Sequence, residues 1–185
     1  MKSLLRFFLL PALCLTPLLL RATIMIPLSV EELSQRAELV LHGTVESKAC
    51  LKDPEGNIIT KIGFKVAEVW KGQLATNYFT IIHGGGTVDG LTTVVGGQAE
   101  YQMGEEVVVY LRLNDRGEGF SIGLAQGKFN VWQDALSGEK FAHNLFHGTP
   151  KLEESVAAAK LRAAAGKPTR LGLAELRTQT SGGAR

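Results

Sequence analysis

The stretch Ala37–Ser47, AELVLHGTVES, constrains the fold more than any other part of the chain. Just before it, Ser29 stands three residues ahead of Glu32 as the two halves of a capping box, and Leu28 and Leu33 have hydrophobic-staple spacing. That spacing predicts a two-turn helix from Val30 to Arg36, followed almost without a loop by a strand from Leu39 to Lys48. Leu39, Leu41 and Val45 fall on one face of the strand, and Val40, His42, Thr44 and Glu46 on the other, the two-residue period of a half-buried strand. Gly43 in its middle marks a bend or the close approach of another backbone. Such a strand needs a sheet to join.

The later segments supply one. Asp53, Pro54, Glu55, Gly56 and Asn57 are turn residues, so Ile58 to Trp70 is expected to return antiparallel. Ile62, Phe64 and Val66 alternate until Val69 and Trp70 break the period, which indicates a bulge curling the sheet. Tyr78 to His83 reads as a third strand. The glycine-rich Gly84 to Gly97 reads as a loop with a small hairpin around Thr87-Val88 and Leu91 to Val95. Val107 to Leu113 is apolar enough for a central strand. Phe120 to Leu124 and Gly127 to Trp132 read as the fifth and sixth. Helix signals return only at the end: Leu152 to Ala165 after Pro150, stopped by Gly166 and Pro168, then a short helix over Leu173 to Arg177 and a frayed tail. Strands at this spacing without long intervening helices indicate an all-β barrel or sandwich with flanking helices.

The N-terminus has the charged start and short apolar run of an export signal, Phe7 to Leu20, too short to span a bilayer comfortably. Cleavage after Ala22 gives a leader at 1–22, a β-barrel domain at 23–148, and a C-terminal helical segment and tail at 149–185. The expected location is exported, secreted or periplasmic, with no stable membrane span after signal removal. Of the 20 basic residues, Lys2, Arg6 and Arg21 leave with the leader, so 17 remain against 18 acidic. This balance argues against nucleic acid as a partner. Cys14 also lies in the leader, so Cys50 is the one thiol left and no internal disulfide can form.

Two patterns imitate enzyme motifs. HGGG at His83 to Gly86 and GFSIG at Gly119 to Gly123, with Asp134 and His143 later, have the order of an α/β-hydrolase triad. A nucleophile elbow needs a strand, a strained turn and a helix, whereas Phe120, Ile122 and Leu124 alternate as strand; a small serine esterase is therefore a minor alternative. His143 and His147 have helical-turn spacing, but HNLFH lacks the metalloprotease Glu and lies among turn signals, so it reads as a loop. His42 reads as a partly exposed sheet residue. Gly84, Gly85 and Gly86 lack the Lys-Ser or Lys-Thr pair of a phosphate cradle and read as a tight rim and exposed binding loop. The expectation is no catalytic residue, no cofactor and no metal site of the chain's own.

The order of elements carries a resemblance: a short segment ending in Pro27, a capped helix turn, AELVLHGTVES, DPEGN, FKVAEVWKG, a glycine-bearing loop, GEEVVVYL and GLAQGKF. From Thr23 to Trp132 this resembles the netrin-like, OB-type barrel of the tissue inhibitors of metalloproteinases, and it is similar to a group of exported bacterial proteins of unassigned function. The resemblance implies a small barrel of five to six strands and a non-enzymatic protein that binds a protein partner, a zinc metalloprotease in the most concrete version. In that family the mature N-terminal residue covers the protease's zinc with its α-amino group and carbonyl. Thr23 occupies that position here, Ile24 would enter the specificity pocket, and Met25, Ile26 and Pro27 complete the edge. The family anchors this edge with cysteines at the positions that are Thr23 and Met25 here. The other expectation is a structural, envelope-associated module docking through its glycine-rich loop or C-terminal helix.

Overall fold

The computed structural model describes residues 25–135, 137–148 and 170–182. The leader, Thr23, Ile24 and the expected helix from Leu152 to Ala165 lie outside the described residues. Helix α1 (Val30–Arg36) begins as its capping box predicts. The Ser29 hydroxyl accepts from the Glu32 N–H at 3.2 Å, and the Glu32 carboxylate accepts from the Ser29 N–H at 2.8 Å. Leu28 and Leu33 are both buried, closing the staple against the core.

Strand β1 (Leu39–Lys52) leaves the helix through Ala37 and pairs antiparallel with β2 (Ile58–Lys71) across the DPEGN turn. The register slips three times. Trp70 and Ala67 are extra residues on β2, and Glu46 is extra on β1. Each bulge adds bend and twist, which lets a two-stranded ribbon roll into a barrel wall. The strand break anticipated at Val69-Trp70 is one of them. Gly43 permits the closest approach: a Cβ there would sit 2.1 Å from the Lys65 carbonyl oxygen.

β3 (Tyr78–Gly84) runs antiparallel to β2. The small hairpin follows as β4 (Gly86–Val88) and β5 (Leu91–Thr93). β6 (Glu106–Leu113) is central: one edge pairs with β1, and the other pairs with β8 (Lys128–Gln133) at Val107–Val109 and with β7 (Gly119–Ser121) at Leu111–Leu113. β7 also pairs parallel with β3 at Ile81 and Gly119. The ring β1-β2-β3-β7-β6-β1 is thereby closed, a five-strand mixed barrel, and closure removes free edges from those strands.

Two cores result. Leu39, Leu41, Val45, Ile62, Phe64, Ile81, Val107, Val109 and Leu111 fill the barrel. The alternate residues Val40, Val108 and Tyr110 point outward and meet Leu33, Phe129 and Leu176 in a second core. Each fully buried Val or Leu adds about 1.5–3 kcal/mol to stability. The opening strand is therefore covered on both faces, where its alternation suggested one.

The fold is mostly β with flanking helices, and its five-strand barrel falls within the expected five to six strands. Among the described residues, β9 (Lys140–His143) and β10 (Leu171–Gly172) extend the sheet beyond β8. The expected fifth strand stops at Ser121, and Leu124–Gly127 forms a 3-10 turn. Helix α2 (Leu173–Gly182) runs past Arg177 into what the sequence suggested was frayed tail. Its extra turn is held by one long-range bond and one bond within the helix. Ser34 Oγ donates to the Thr180 carbonyl at 2.7 Å, and Thr180 Oγ1 donates to the Leu176 carbonyl at 2.8 Å. The single Thr180 hydroxyl proton is thus used, so Tyr110 O–H is the donor in the 2.5 Å contact between the two hydroxyls. No helix among the described residues is long and apolar enough to cross a membrane.

Candidate functional site

The described part of the N-terminal edge, Met25 to Pro27, is tied down by one side chain. Gln126, 3% exposed, accepts from the Leu28 N–H through Oε1 at 2.8 Å and donates from Nε2 to the Ile26 carbonyl at 3.1 Å. One amide thus engages the backbone as a neighbouring strand does. Ile26 itself is left 76% exposed. Beneath it, Gly123 and Leu124 both take left-handed backbone, with φ of 60° and 61°, a conformation strained for leucine. The edge, these two residues, Glu32 and Arg36 enclose an open cleft of about 440 Å³.

Gly84 ends β3, Gly86 begins β4, and Gly85 joins the two strands. Gly85 donates its N–H to the Ile58 carbonyl at 2.9 Å. Gly86 has φ of 135°, and a Cβ there would meet Cys50 Sγ and Thr60 Oγ1, each at 2.7 Å. Close packing accounts for these glycines. Thr60 Oγ1 donates to the Gly85 carbonyl at 2.7 Å, so the Cys50 thiol is the donor in its 3.4 Å contact with Thr60.

The two segments singled out from the sequence flank a single loop. A Cβ at Gly84 would lie 2.9 Å from Val95 Cγ2, and one at Gly97 would lie 3.1 Å from Met25 Cε. Val94, immediately before Val95, is 84% exposed. Ile26 and Val94 therefore belong to neighbouring segments of one rim and both present aliphatic surface.

The enzyme-like residues are placed differently from their motif. Ser121 ends β7, its Oγ is 2.8 Å from Tyr101 OH, and a 3-10 turn and another strand follow in place of an elbow helix. His143 is the last residue of β9, not a loop residue, while His147 lies after it with Nδ1 3.1 Å from Asn144 Oδ1. Burial holds both imidazoles below the usual histidine range. Among the described residues no group of three His, Cys, Asp or Glu side chains is arranged to hold a metal ion.

The principal residue missed from sequence is His42. It is 7% exposed, not a partly open sheet residue, because α2 and β9 border the barrel at its outer face. Its Nε2 is 2.6 Å from Glu106 Oε1, and the Glu106 carboxylate also accepts from Lys140 Nζ at 2.7 and 2.9 Å. Burial acts to raise the Glu106 pKa, but the hydrogen bonds from Lys140 and His42 outweigh it and hold the group below its ordinary value. A carboxylate accepts only, so Nε2 carries the imidazole proton in this contact. Nδ1 is buried without a hydrogen-bond partner and stands 3.9 Å from Glu68 Oε1. The other Glu68 oxygen accepts from Trp70 Nε1 at 3.2 Å and from Arg177 at 2.9 Å. No local spacing marks this set, since Glu106 and Lys140 are far from His42 in sequence and bulges interrupt the strands that carry His42 and Glu68.

The sequence matches no protein-family model and no curated protein.

Proposed function

We propose that the chain is an exported, non-enzymatic binding module whose partner is a protein, engaged through the edge Thr23 to Pro27 and the adjoining loop from Gly84 to Gly97. In its most specific form the partner is a zinc metalloprotease, with the Thr23 α-amino group and carbonyl directed at its metal. The observation that carries this reading is the Gln126 clamp. A free segment loses about 1–2 kcal/mol per residue on being ordered against a partner. Gln126 fixes Ile26 and Leu28 beforehand, without the cysteines that do so in the netrin-like inhibitors. The exposed Ile26 side chain is then presented from a set backbone, the condition for an apolar anchor at an interface.

The second reading, an envelope-associated interaction module, is favoured by the β4–β5 hairpin and the residue that follows it, where Leu91 is 61% and Val94 84% exposed. Two variants separate them in pull-down from the exporting cell's envelope and medium. Ile26→Glu is expected to abolish capture if the N-terminal edge is used, and Val94→Glu alone if the hairpin is. Mass spectrometry of the exported protein tests the terminus: a mature chain beginning away from Thr23 rules out the zinc-directed form. For the minor esterase reading, labelling of Ser121 by a serine-reactive phosphonate would revive it; none is expected.

A further inference from the structure

Leu124 stands in left-handed backbone, with φ of 61°. Its neighbour Gly123 has the same conformation, with φ of 60°, and carries no side chain to strain. A leucine is disfavoured there because its Cβ crowds the carbonyl oxygen that follows. Strain of this kind persists only where the surroundings hold it, and such positions gather at functional sites. What leucine adds over glycine is a side chain, and the purpose of the strained position lies in what that side chain touches.

It touches Gly97. A Cβ built on Gly97 would meet Met25 Cε at 3.1 Å and Leu124 Cδ1 at 3.2 Å, so both side chains cover one face of that glycine. On the backbone, the Ala125 N–H donates to the Gly97 carbonyl at 2.9 Å. Gln126, two residues past Leu124, holds Ile26 and Leu28. The 3-10 turn Leu124–Gly127 therefore grips the N-terminal edge through Gln126, the end of the Gly84 to Gly97 loop through Ala125, and the meeting point of the two through the Leu124 side chain.

We infer that Leu124 is a positioning residue that fixes the edge and the loop relative to each other, so that Ile26 and Val94, 76% and 84% exposed, meet one protein partner as a single ridge. Their joint use by a partner rests on the proposed function of the edge; the joint between them does not. Two apolar anchors set by one joint are ordered before the partner arrives, which lowers the ordering cost of binding. The partner that fits is a protein with a groove long enough to receive both aliphatic side chains at once.

The test uses protein beginning at Thr23 with labelled methionine methyl groups. The Met25 methyl and the Gly97 α protons are expected to give a nuclear Overhauser cross-peak in the wild type. Leu124→Gly keeps the left-handed backbone without strain and is expected to lose the cross-peak, whereas Leu124→Met is expected to keep it. Leu124→Asn, which also accepts this backbone but has no aliphatic chain, is expected to behave as Leu124→Gly. Protection of the Leu28 amide in every variant reports an intact fold and Gln126 clamp. Against a zinc metalloprotease that the wild type inhibits, Leu124→Gly is expected to be at least ten-fold weaker and Leu124→Met close to wild type. A wild type that inhibits no protease sinks the zinc-directed reading of the edge, and the cross-peak still decides the joint. No cross-peak in the wild type, or one retained in both Leu124→Gly and Leu124→Asn, overturns the joint; inhibition unchanged by Leu124→Gly overturns its part in binding.

Discussion

Gln126 holds Leu28 across 98 residues of sequence: its Oε1 accepts from the Leu28 N–H at 2.8 Å inside the protein. The same amide donates to the Ile26 carbonyl, so one side chain determines where the chain's N-terminal edge leaves the barrel. Gln126→Ala leaves a buried N–H unpaired and is expected to lower stability by about 1–3 kcal/mol in denaturant unfolding. Gln126→Glu keeps the acceptor and removes the donor. Hydrogen exchange should then find the Leu28 amide still protected in Gln126→Glu and unprotected in Gln126→Ala; equal protection in the two would contradict the clamp.

Gly43 is a point at which the barrel wall leaves no room for a side chain against backbone. Gly43→Ala places a methyl group 2.1 Å from the Lys65 carbonyl oxygen, and backbone on both sides has to move. A loss of more than about 3 kcal/mol, or failure to fold, is expected, beyond the usual range for point substitutions. Gly56→Ala is the comparison: its φ is +86° but nothing lies within 4 Å of the added Cβ, so only backbone strain of roughly 1–2 kcal/mol applies. Unfolding midpoints of the two variants check the difference.

Tyr110 links α2 to the barrel and makes that link sensitive to alkali. Burial pushes its phenol up to about 12, against roughly 10 in an unfolded chain. A raised folded pKa means that the stabilisation is fully present below about pH 10 and is lost as pH rises through about 12. Burial also raises Tyr101. Unfolding free energy is expected to fall between pH 10 and 12, and Tyr110→Phe is expected to flatten part of that fall while losing the Thr180 hydrogen bond. An unchanged alkaline slope in Tyr110→Phe would contradict the assignment.

What was legible in the sequence was local. Ser29 and Glu32 are three residues apart and define α1 by themselves, and Asp53–Asn57 turns β1 into β2 through contacts within the turn, including the Asn57 N–H to Asp53 carboxylate bond at 2.7 Å. Glycine at 43 indicates a bend or a close approach, and the structure shows the close approach, against the Lys65 carbonyl. Elements held by distant partners were not legible. β10 is two residues long and exists only against β9, and the last turn of α2 depends on Ser34 and Tyr110. His42 looked half exposed because alternation along β1 carries no information about a helix that arrives 130 residues later. Of the candidate site, Met25 to Pro27 and Gly84 to Gly86 were named, but Gln126, Val94 and the His42 cleft came only with the tertiary structure.

The most direct measurement is inhibition of a panel of zinc metalloproteases by protein that begins at Thr23, beside the same protein extended by one N-terminal alanine. The extension buries the α-amino group of Thr23 in a peptide bond and leaves the Gln126 clamp untouched. Inhibition of at least one protease by the Thr23 form, lost in the extended form, is the expected result. Equal inhibition by both, or none by either, contradicts the proposed zinc-directed edge.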